Sequence, residues 1–326
     1  MRNLVFCVVP NWNGKDVLGK CLDSLLTQTI KPIIVVVDNG SNDGSLKYVK
    51  DKYPGVKLVE LDKNYGFSGG VNRGIEYALE SGAEFVALLN NDATAEPNWL
   101  EKLVQTAKDN PNAGIVTGKI MRIDKKHLDS TGDFYSIWGL PFPRGRNEVD
   151  VGQYDAKTEV FGASGSGSLY RTKMLREVGL FDEEFFAYFE DVDISFRAQL
   201  AGWKVRYEPG AVVYHHVGAT SSKLGNFARY HTYKNFVMLY SKNMPAKLFF
   251  KYLPALLVTS LGLLARGVLR GHLWTYIRGT CAGLKRLPGT FKKRRSVQRS
   301  RKVTVEYVDN TLWHGRPPRP PKLEEL

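Results

Sequence analysis

Two short stretches concentrate groups able to do chemistry. In VALLNNDATAEP (residues 86–97) an apolar run ends on Asn90, Asn91 and Asp92. A strand that delivers one carboxylate and two carboxamides to a loop offers oxygen ligands to a hard cation, although a single charge is sparse for an all-protein metal site. In FFAYFEDVDISFRAQLAGW (185–203) three carboxylates, Glu190, Asp191 and Asp193, fall within four positions. Phe189, Val192, Phe196, Leu200 and Trp203 keep a helical period, which puts the carboxylates at a helix start, where the dipole favours negative charge. There they serve either as caps, with an Asp193 to Arg197 pair one turn apart, or as a general base whose proton affinity a neighbouring carboxylate raises. Spacing leaves both uses open.

Three further polar stretches join them. Asp38 follows the strand-like IIVVV and opens DNGSNDGS, either as a tight turn with helix capping or as an acceptor for a base or ribose. NYGFSGGVNRG (64–74) is glycine-rich ahead of a helix, which suits close approach to phosphate. Its glycines, at 66, 69, 70 and 74, do not form a dinucleotide fingerprint, and Arg73 reads equally as a phosphate ligand or a surface charge. His215 and His216 end another strand-like run. Adjacent strand residues face opposite sides, so at most one enters a shared site.

The elements that must position these groups are legible as periods. Residues 4–9, 33–37, 56–61 and 85–89 have the β-branched and apolar content of buried parallel strands. Helical patterns lie between them, the clearest over 15–27. Alternation of strand and helix predicts an α/β fold with right-handed βαβ units and a mostly parallel sheet. Ligands bind such sheets beyond the carboxyl ends of the strands, where PNWNG, DNGSNDGS, NYGFSGG and NNDA all fall. Residues 124–159 show no sustained period and read as a loop-rich cover for a substrate.

Composition divides the chain. Of its 326 residues, those up to 222 carry 25 Lys plus Arg against 29 Asp plus Glu, whereas 223–326 carry 21 against 4. A mildly acidic body thus precedes a basic appendage. Within the appendage 252–265 is an uncharged run of 14 residues, shorter than the roughly 20 that a simple membrane span needs. Leu273, Ile277, Cys281 and Leu284 mark one face of a second helix. Amphipathic helices with basic flanks suit a membrane interface, and packing of 248–287 on the catalytic body or on a second subunit, as a homo-oligomer, is the alternative. FKKRRSVQRSRK (291–302) and RPPRPPK (316–322) read as a flexible tail. The expected domains are a catalytic body over 1–222, a helical membrane-associating region over 223–290 and a basic tail over 291–326. The basic residues form no zinc-finger or RNA-recognition pattern, so nucleic acid is not an expected partner. Three scattered cysteines, Cys7, Cys21 and Cys281, and an N-terminal apolar run too short for a signal peptide favour the reducing cytoplasm.

Taken in order, VVPNWNGKDVLGKCLDSL, VVVDNGSNDGS, NYGFSGGVNRG, LLNNDA, GSLYRTKMLREVGLFDEEFFAYFEDVDISFRAQLAGW and VVYHHVGATSS resemble glycosyltransferase family 2, inverting enzymes of the GT-A fold with nucleotide-sugar donors. The resemblance covers residues 3–222. The NNDA form, the FEDVDISFR block and the basic tail are most similar to rhamnosyltransferase-type enzymes acting on lipid-linked or polysaccharide acceptors.

The resemblance implies a Rossmann-like GT-A body with C-terminal amphipathic helices. It also implies roles. Pro10, Asn11 and Asp38 would hold the nucleoside, and Asn64, Gly66 and Arg73 the nucleotide pocket. Asn90, Asn91 and Asp92 stand in place of the family's D-x-D metal motif, so that a divalent Mg or Mn would be shared with the donor diphosphate. Asp191 stands in place of the catalytic base, with Glu190 as runner-up, and His215 in place of a histidine that completes the metal site, with His216 as alternative. Rhamnose from dTDP-rhamnose is the first expectation for the donor, with UDP-galactofuranose and UDP-hexoses as alternatives. A nucleotide-sugar-binding module without activity is the rival from another class. The implied location is the inner face of the cell membrane, on an anionic surface.

Overall fold

The computed structural model describes residues 4–216 and 225–323. In β1 (Val5–Asn11) Val5, Cys7 and Val9 enter one core while Phe6 and Val8 enter another. A strand buried on both faces needs no polar alternation, so an unbroken apolar run is what such a strand looks like. The same holds for β2 (Ile33–Asp38) and β4 (Phe85–Leu89), with α1 (Lys15–Leu26), α2 (Ser45–Lys52), β3 (Lys57–Glu60) and α3 (Gly66–Glu80) between them. α1 packs Leu18, Cys21, Leu22 and Leu25 on one face of the sheet, and α3 packs Val71, Ile75 and Ala78 on the other.

After β4 come β5 (Ala93–Ala95), α4 (Trp99–Asp109) and β6 (Ala113–Arg122). Then β7 (Leu128–Ser130), β8 (Asp133–Tyr135), β9 (Pro141–Pro143) and β10 (Glu159–Val160) lead to β11 (Gly167–Arg171), α5 (Thr172–Val178), α6 (Glu190–Leu200) and β12 (Lys204–His215). Among the described residues the main sheet runs β10, β12, β6, β11, β4, β1, β2, β3, with β5 beside β12 and β7 beside β6. β3, β2, β1 and β4 are parallel, while β11 is antiparallel to both β4 and β6. The expected mostly parallel α/β sheet is therefore present, with one reversed strand at its centre. The stretch 124–159, expected to be loop-rich, adds the short strands β7, β8 and β9 to the body.

The C-terminal helices are α7 (Phe227–Asn243), α8 (Ala246–Leu269), α9 (Leu273–Arg299) and α10 (Val305–Thr311). Phe236, Met238, Leu239 and Tyr240 of α7 share a core with Phe196 and Leu200 of α6, so α7 belongs physically to the body. α9 approaches α7 so closely that a Cβ on Gly279 would lie 2.7 Å from the Tyr230 carbonyl oxygen, and one on Gly283 2.5 Å from that of Lys234. The stretch from 291, expected to be flexible, instead continues α9, and α10 returns Val308 and Leu312 to the core. Counting charges hides these inward residues, and it hides Asp309, which accepts from both Lys251 (2.7 Å) and Tyr252 (2.6 Å). α8, 24 residues, is long and apolar enough to cross a membrane by length and composition. It leaves Phe250, Leu257, Val258, Leu261, Val268 and Leu269 exposed, and α9 adds Leu273, Trp274, Ile277 and Leu284.

Candidate active site

Three strand ends meet through side chains. Asn11, at the end of β1, donates from Nδ2 to Asp38 Oδ1 (3.2 Å) and accepts at Oδ1 from Asn91 Nδ2 (2.8 Å). The second Asp38 oxygen accepts from the Ser41 backbone N–H (3.1 Å). Asp38 and Asn11 are both buried, yet a carboxylate with one donor on each oxygen keeps acceptor capacity. Pro10 pairs beside Val37 on the same rim. Asn64 Oδ1 accepts from the Gly66 N–H (2.8 Å) and from Asn39 Nδ2 (3.2 Å), fixing the turn into α3. Gly66 has φ +76, and a Cβ there would strike the carbonyl oxygen of Phe186. Only glycine accepts both conditions. Arg73 Nη1 pairs with Glu183 at 2.8 Å on a partly exposed face.

The second corner is built on His215. Its register opposite Ala93 brings β12 alongside the start of β5. Nε2 lies 3.2 Å from Asp92 Oδ1 and 3.4 Å from Asn90 Nδ2, while Nδ1 lies 3.1 Å from Asp129 Oδ2. Arg146 holds the other Asp129 oxygen at 2.7 Å. Burial pulls the His215 pKa down, but hydrogen bonds and charge from Asp129 and Asp92 outweigh it and carry it up to about 9. The ring thus lies between two carboxylates, Asp92 at Nε2 and Asp129 at Nδ1. Burial likewise works against the Asp129 carboxylate, and His215 and Arg146 overcome it to keep its pKa below the usual range. His216 is exposed, and its backbone N–H donates to the Asp92 carbonyl (3.0 Å).

The structure separates the three carboxylates of α6. Asp193 is fully buried and bonded to Arg197 Nε (2.8 Å), Lys242 Nζ (2.9 Å) and Asn243 Nδ2 (2.8 Å), a structural role. Asp191 is half-buried at the first turn, accepting from the N–H of Gly165 (3.1 Å) and of Val192 (2.8 Å). Burial raises its pKa against those two hydrogen bonds. Glu190 is buried behind it with Oε2 lacking a hydrogen-bond partner, and burial followed by the charge of Asp191 raises its pKa well above the carboxylate range. Asp133, half-buried near the same group, is raised to about 7 by desolvation and then by the charge of Asp191. Carboxyls that resist ionising together raise the proton affinity of whichever one is ionised, which is what suits a carboxylate to act as a base near neutral pH.

The turn that presents α6 is strained. Phe186, Tyr188 and Phe189 have φ of 66°, 67° and 71°, each costing on the order of 1–3 kcal/mol for a non-glycine residue. α7 holds it. Asn235 Nδ2 donates to the carbonyls of Phe185 (3.0 Å), Ala187 (2.9 Å) and Tyr188 (2.6 Å), and Lys234 Nζ to those of Glu184 (2.8 Å) and Phe185 (3.1 Å). Burial, then Arg286, lowers the Lys234 pKa to about 8.

Residues 6–179, which contain the strand ends of the first corner, match the family model described as glycosyl transferase family 2. The chain belongs to that family. It is similar to the N-acetylglucosaminyl-diphospho-decaprenol L-rhamnosyltransferase of Mycobacterium tuberculosis, 32% identical over 66% of this chain and 77% of the relative. It is also similar to the dTDP-rhamnosyl transferase RfbF of Shigella flexneri, 28% identical over 74% and 82%. The crystal structure of S. aureus TarS 1–349 superposes with a TM-score of 0.55 at 14% identity, covering 91% of this chain and 90% of that one. This transferase therefore has the GT-A-like body expected of it and is a glycosyltransferase of glycan synthesis.

Sequence reasoning passed over several residues that the transferase brings to this site. Asn39 is buried between Asn64 and the Gly66 carbonyl, and its position beside Asp38 in DNGSNDGS was the available signal. Asp129, Asp133 and Arg146 come from 124–159, where no period singled them out. Gly165 lies in the glycine- and serine-rich stretch 162–168, whose composition does not reveal which N–H meets Asp191.

Proposed function

We propose that the transferase moves a sugar, L-rhamnose from dTDP-rhamnose as first candidate, to a hydroxyl of a lipid-linked or polysaccharide acceptor with inversion. The observation that carries this reading is Asp191, half-buried, held by two backbone N–H groups and flanked by Glu190 and Asp133. The names of the two rhamnosyl relatives support the choice of sugar. Asp191 takes the proton from the acceptor hydroxyl as its oxygen bonds to the anomeric carbon. The bond from that carbon to the diphosphate breaks on the opposite side, and the nucleoside diphosphate leaves with the electron pair. Asp38 and Asn11 hold the base and ribose, with Pro10 on the same rim. Asn64 and Gly66 shape the approach to the phosphates, while Arg73 could join them only by leaving Glu183. Incubation with dTDP-rhamnose should release dTDP in preference to UDP from UDP-galactofuranose or UDP-glucose. No nucleoside diphosphate from any donor would favour the non-catalytic binding module instead.

Oxygens suited to a divalent cation are present. Asn90 Oδ1 is buried without a hydrogen-bond partner and Asp92 Oδ1 faces His215 Nε2 at 3.2 Å; Asp92 and His215, once its Nε2 gives up its proton, would hold Mg or Mn with Asn90 beside them. When bound, the cation supplies positive charge against the departing diphosphate. Among the described residues no three His, Cys, Asp or Glu side chains form a metal cluster, so this pair should bind cation poorly until a diphosphate adds its oxygens. Asp129 orients the His215 ring. Calorimetry with Mn2+ and a nucleoside diphosphate should show affinity about 10- to 100-fold weaker in Asp129→Asn. Unchanged affinity would remove Asp129 from this role.

The exposed apolar faces of α8 and α9 support a cytoplasmic, peripheral location on the inner membrane face. Residues 223 to 305 hold no acid, and although Lys251 and Lys293 pair with Asp309 and Asp182, each basic side chain near an anionic bilayer adds roughly 1 kcal/mol of attraction. A variant carrying Leu261→Ser and Leu269→Ser, both at exposed positions, should lose flotation with anionic vesicles at least tenfold. If instead it floats like the parent, or the parent is a dimer in solution that the same changes dissociate, the face serves a second copy.

A further inference from the structure

We propose that the cleft between the starts of α7 and α9 receives the diphosphate and first prenyl unit of a lipid-linked acceptor, an inference that rests on the acceptor reading above. The cleft encloses about 360 Å³ and is lined by Asn226, Phe227, Tyr230, Trp274, Thr275 and Arg278. That volume falls in the roughly 300–1,000 Å³ range of small-molecule sites.

Its chemistry is divided as such a ligand is divided. Arg278 is exposed and has no ion-pair or hydrogen-bond partner among the described residues. Its guanidinium is therefore free to make the paired hydrogen bonds that suit phosphate oxygens. Asn226 and Thr275 add neutral polar groups. Trp274, 70% exposed, stands with Phe227 and Tyr230 as an apolar wall beside the cation. An aromatic wall next to an unpaired arginine is suboptimal for water alone and complementary to an anion carrying an unsaturated hydrocarbon.

The position also fits. The Phe227 ring lies 6.1 Å from Phe186 and 6.3 Å from Tyr188, the strained residues just ahead of Glu190 and Asp191. On the other side Leu273 and Ile277 continue the exposed apolar face of α9 from Trp274. A ligand anchored at Arg278 thus lies between the helices that would meet the bilayer and the turn that presents the base.

The test uses the full chain with geranyl diphosphate, which is short enough to remain in solution, after saturating the donor site with Mn2+ and dTDP. Calorimetry should detect binding that weakens at least tenfold in Arg278→Ala and at least fivefold in Trp274→Ala. Inorganic diphosphate should lose affinity only in Arg278→Ala, and geraniol only in Trp274→Ala. Phe250→Ala, on the exposed face outside the cleft, should leave all three unchanged. Equal binding of geranyl diphosphate by the parent and both cleft variants would overturn the assignment while preserving a lipid-linked acceptor. No binding by the parent would overturn the lipid-linked reading itself, and the cleft with it.

Discussion

Asp191→Asn should abolish transfer, lowering kcat by about 10²–10⁴-fold, the range that a positioned general base contributes, while dTDP binding by calorimetry stays within twofold. The substitution keeps shape, and the amide oxygen can still accept from Gly165 or Val192. What it removes is the capacity to take a proton. The local balance also changes, because Asp191 contributes the charge that helps to hold Glu190 and Asp133 protonated. With that charge gone, Glu190 and Asp133 should ionise more readily, so any residual activity should show a shifted pH profile. A variant with full activity would move the base to Glu190, and the same measurement on Glu190→Gln would then show the loss.

The second large effect concerns stability. Lys242 is buried between Asp182 (2.7 Å) and Asp193 (2.9 Å), with Arg197 and Lys293 completing the network. Lys242→Ala should destabilise the fold by about 3 kcal/mol, because it removes the cation shared by two buried carboxylates and leaves Asp193 only Arg197 and Asp182 only Lys293. Chemical denaturation at neutral pH measures this loss. The parent should lose stability from the same network in acid. For both carboxylates burial opposes ionisation, but Lys242 leads the opposing interactions and leaves their folded pKa values below the usual one. A lowered folded pKa means stability that is fully present above the unfolded carboxylate value of about 3.9 and is lost as pH falls below it. The difference between parent and Lys242→Ala should therefore hold above about pH 4 and narrow as pH falls below it, toward the lowered folded values. A constant difference over that window would assign the destabilisation to lost packing rather than to the charges.

What could be read from the residues and what could not have separate physical causes. β1, β2, β4 and α1 were legible because burial on two faces, or along one helical stripe, leaves a period in the sequence. The strand-end turns were legible because they interrupt those periods with Asn, Asp and Gly. Asp129, Asp133 and Arg146 were not, since short strands joined by turns around 124–159 carry no sustained period and their partners lie far along the chain. Nor was the strain at 186–189, because Phe186, Tyr188 and Phe189 adopt positive φ without a glycine to announce it. α7 was misjudged for a related reason. Lys234, Asn235, Lys242 and Asn243 look solvent-facing by type, yet all four are buried where α6 and its turn need donors.

The placement of α7 has a consequence for building hybrid enzymes. One side of this helix accepts the close approach of Gly279 and Gly283, and another supplies Lys234 and Asn235 to the turn before the base. A graft that exchanges the C-terminal helices at the apparent boundary near residue 222 would separate the donors from the carbonyls they satisfy. The exchangeable module has to include residues 181–189 together with α7 and α9, even though about 40 residues of chain and β12 lie between them.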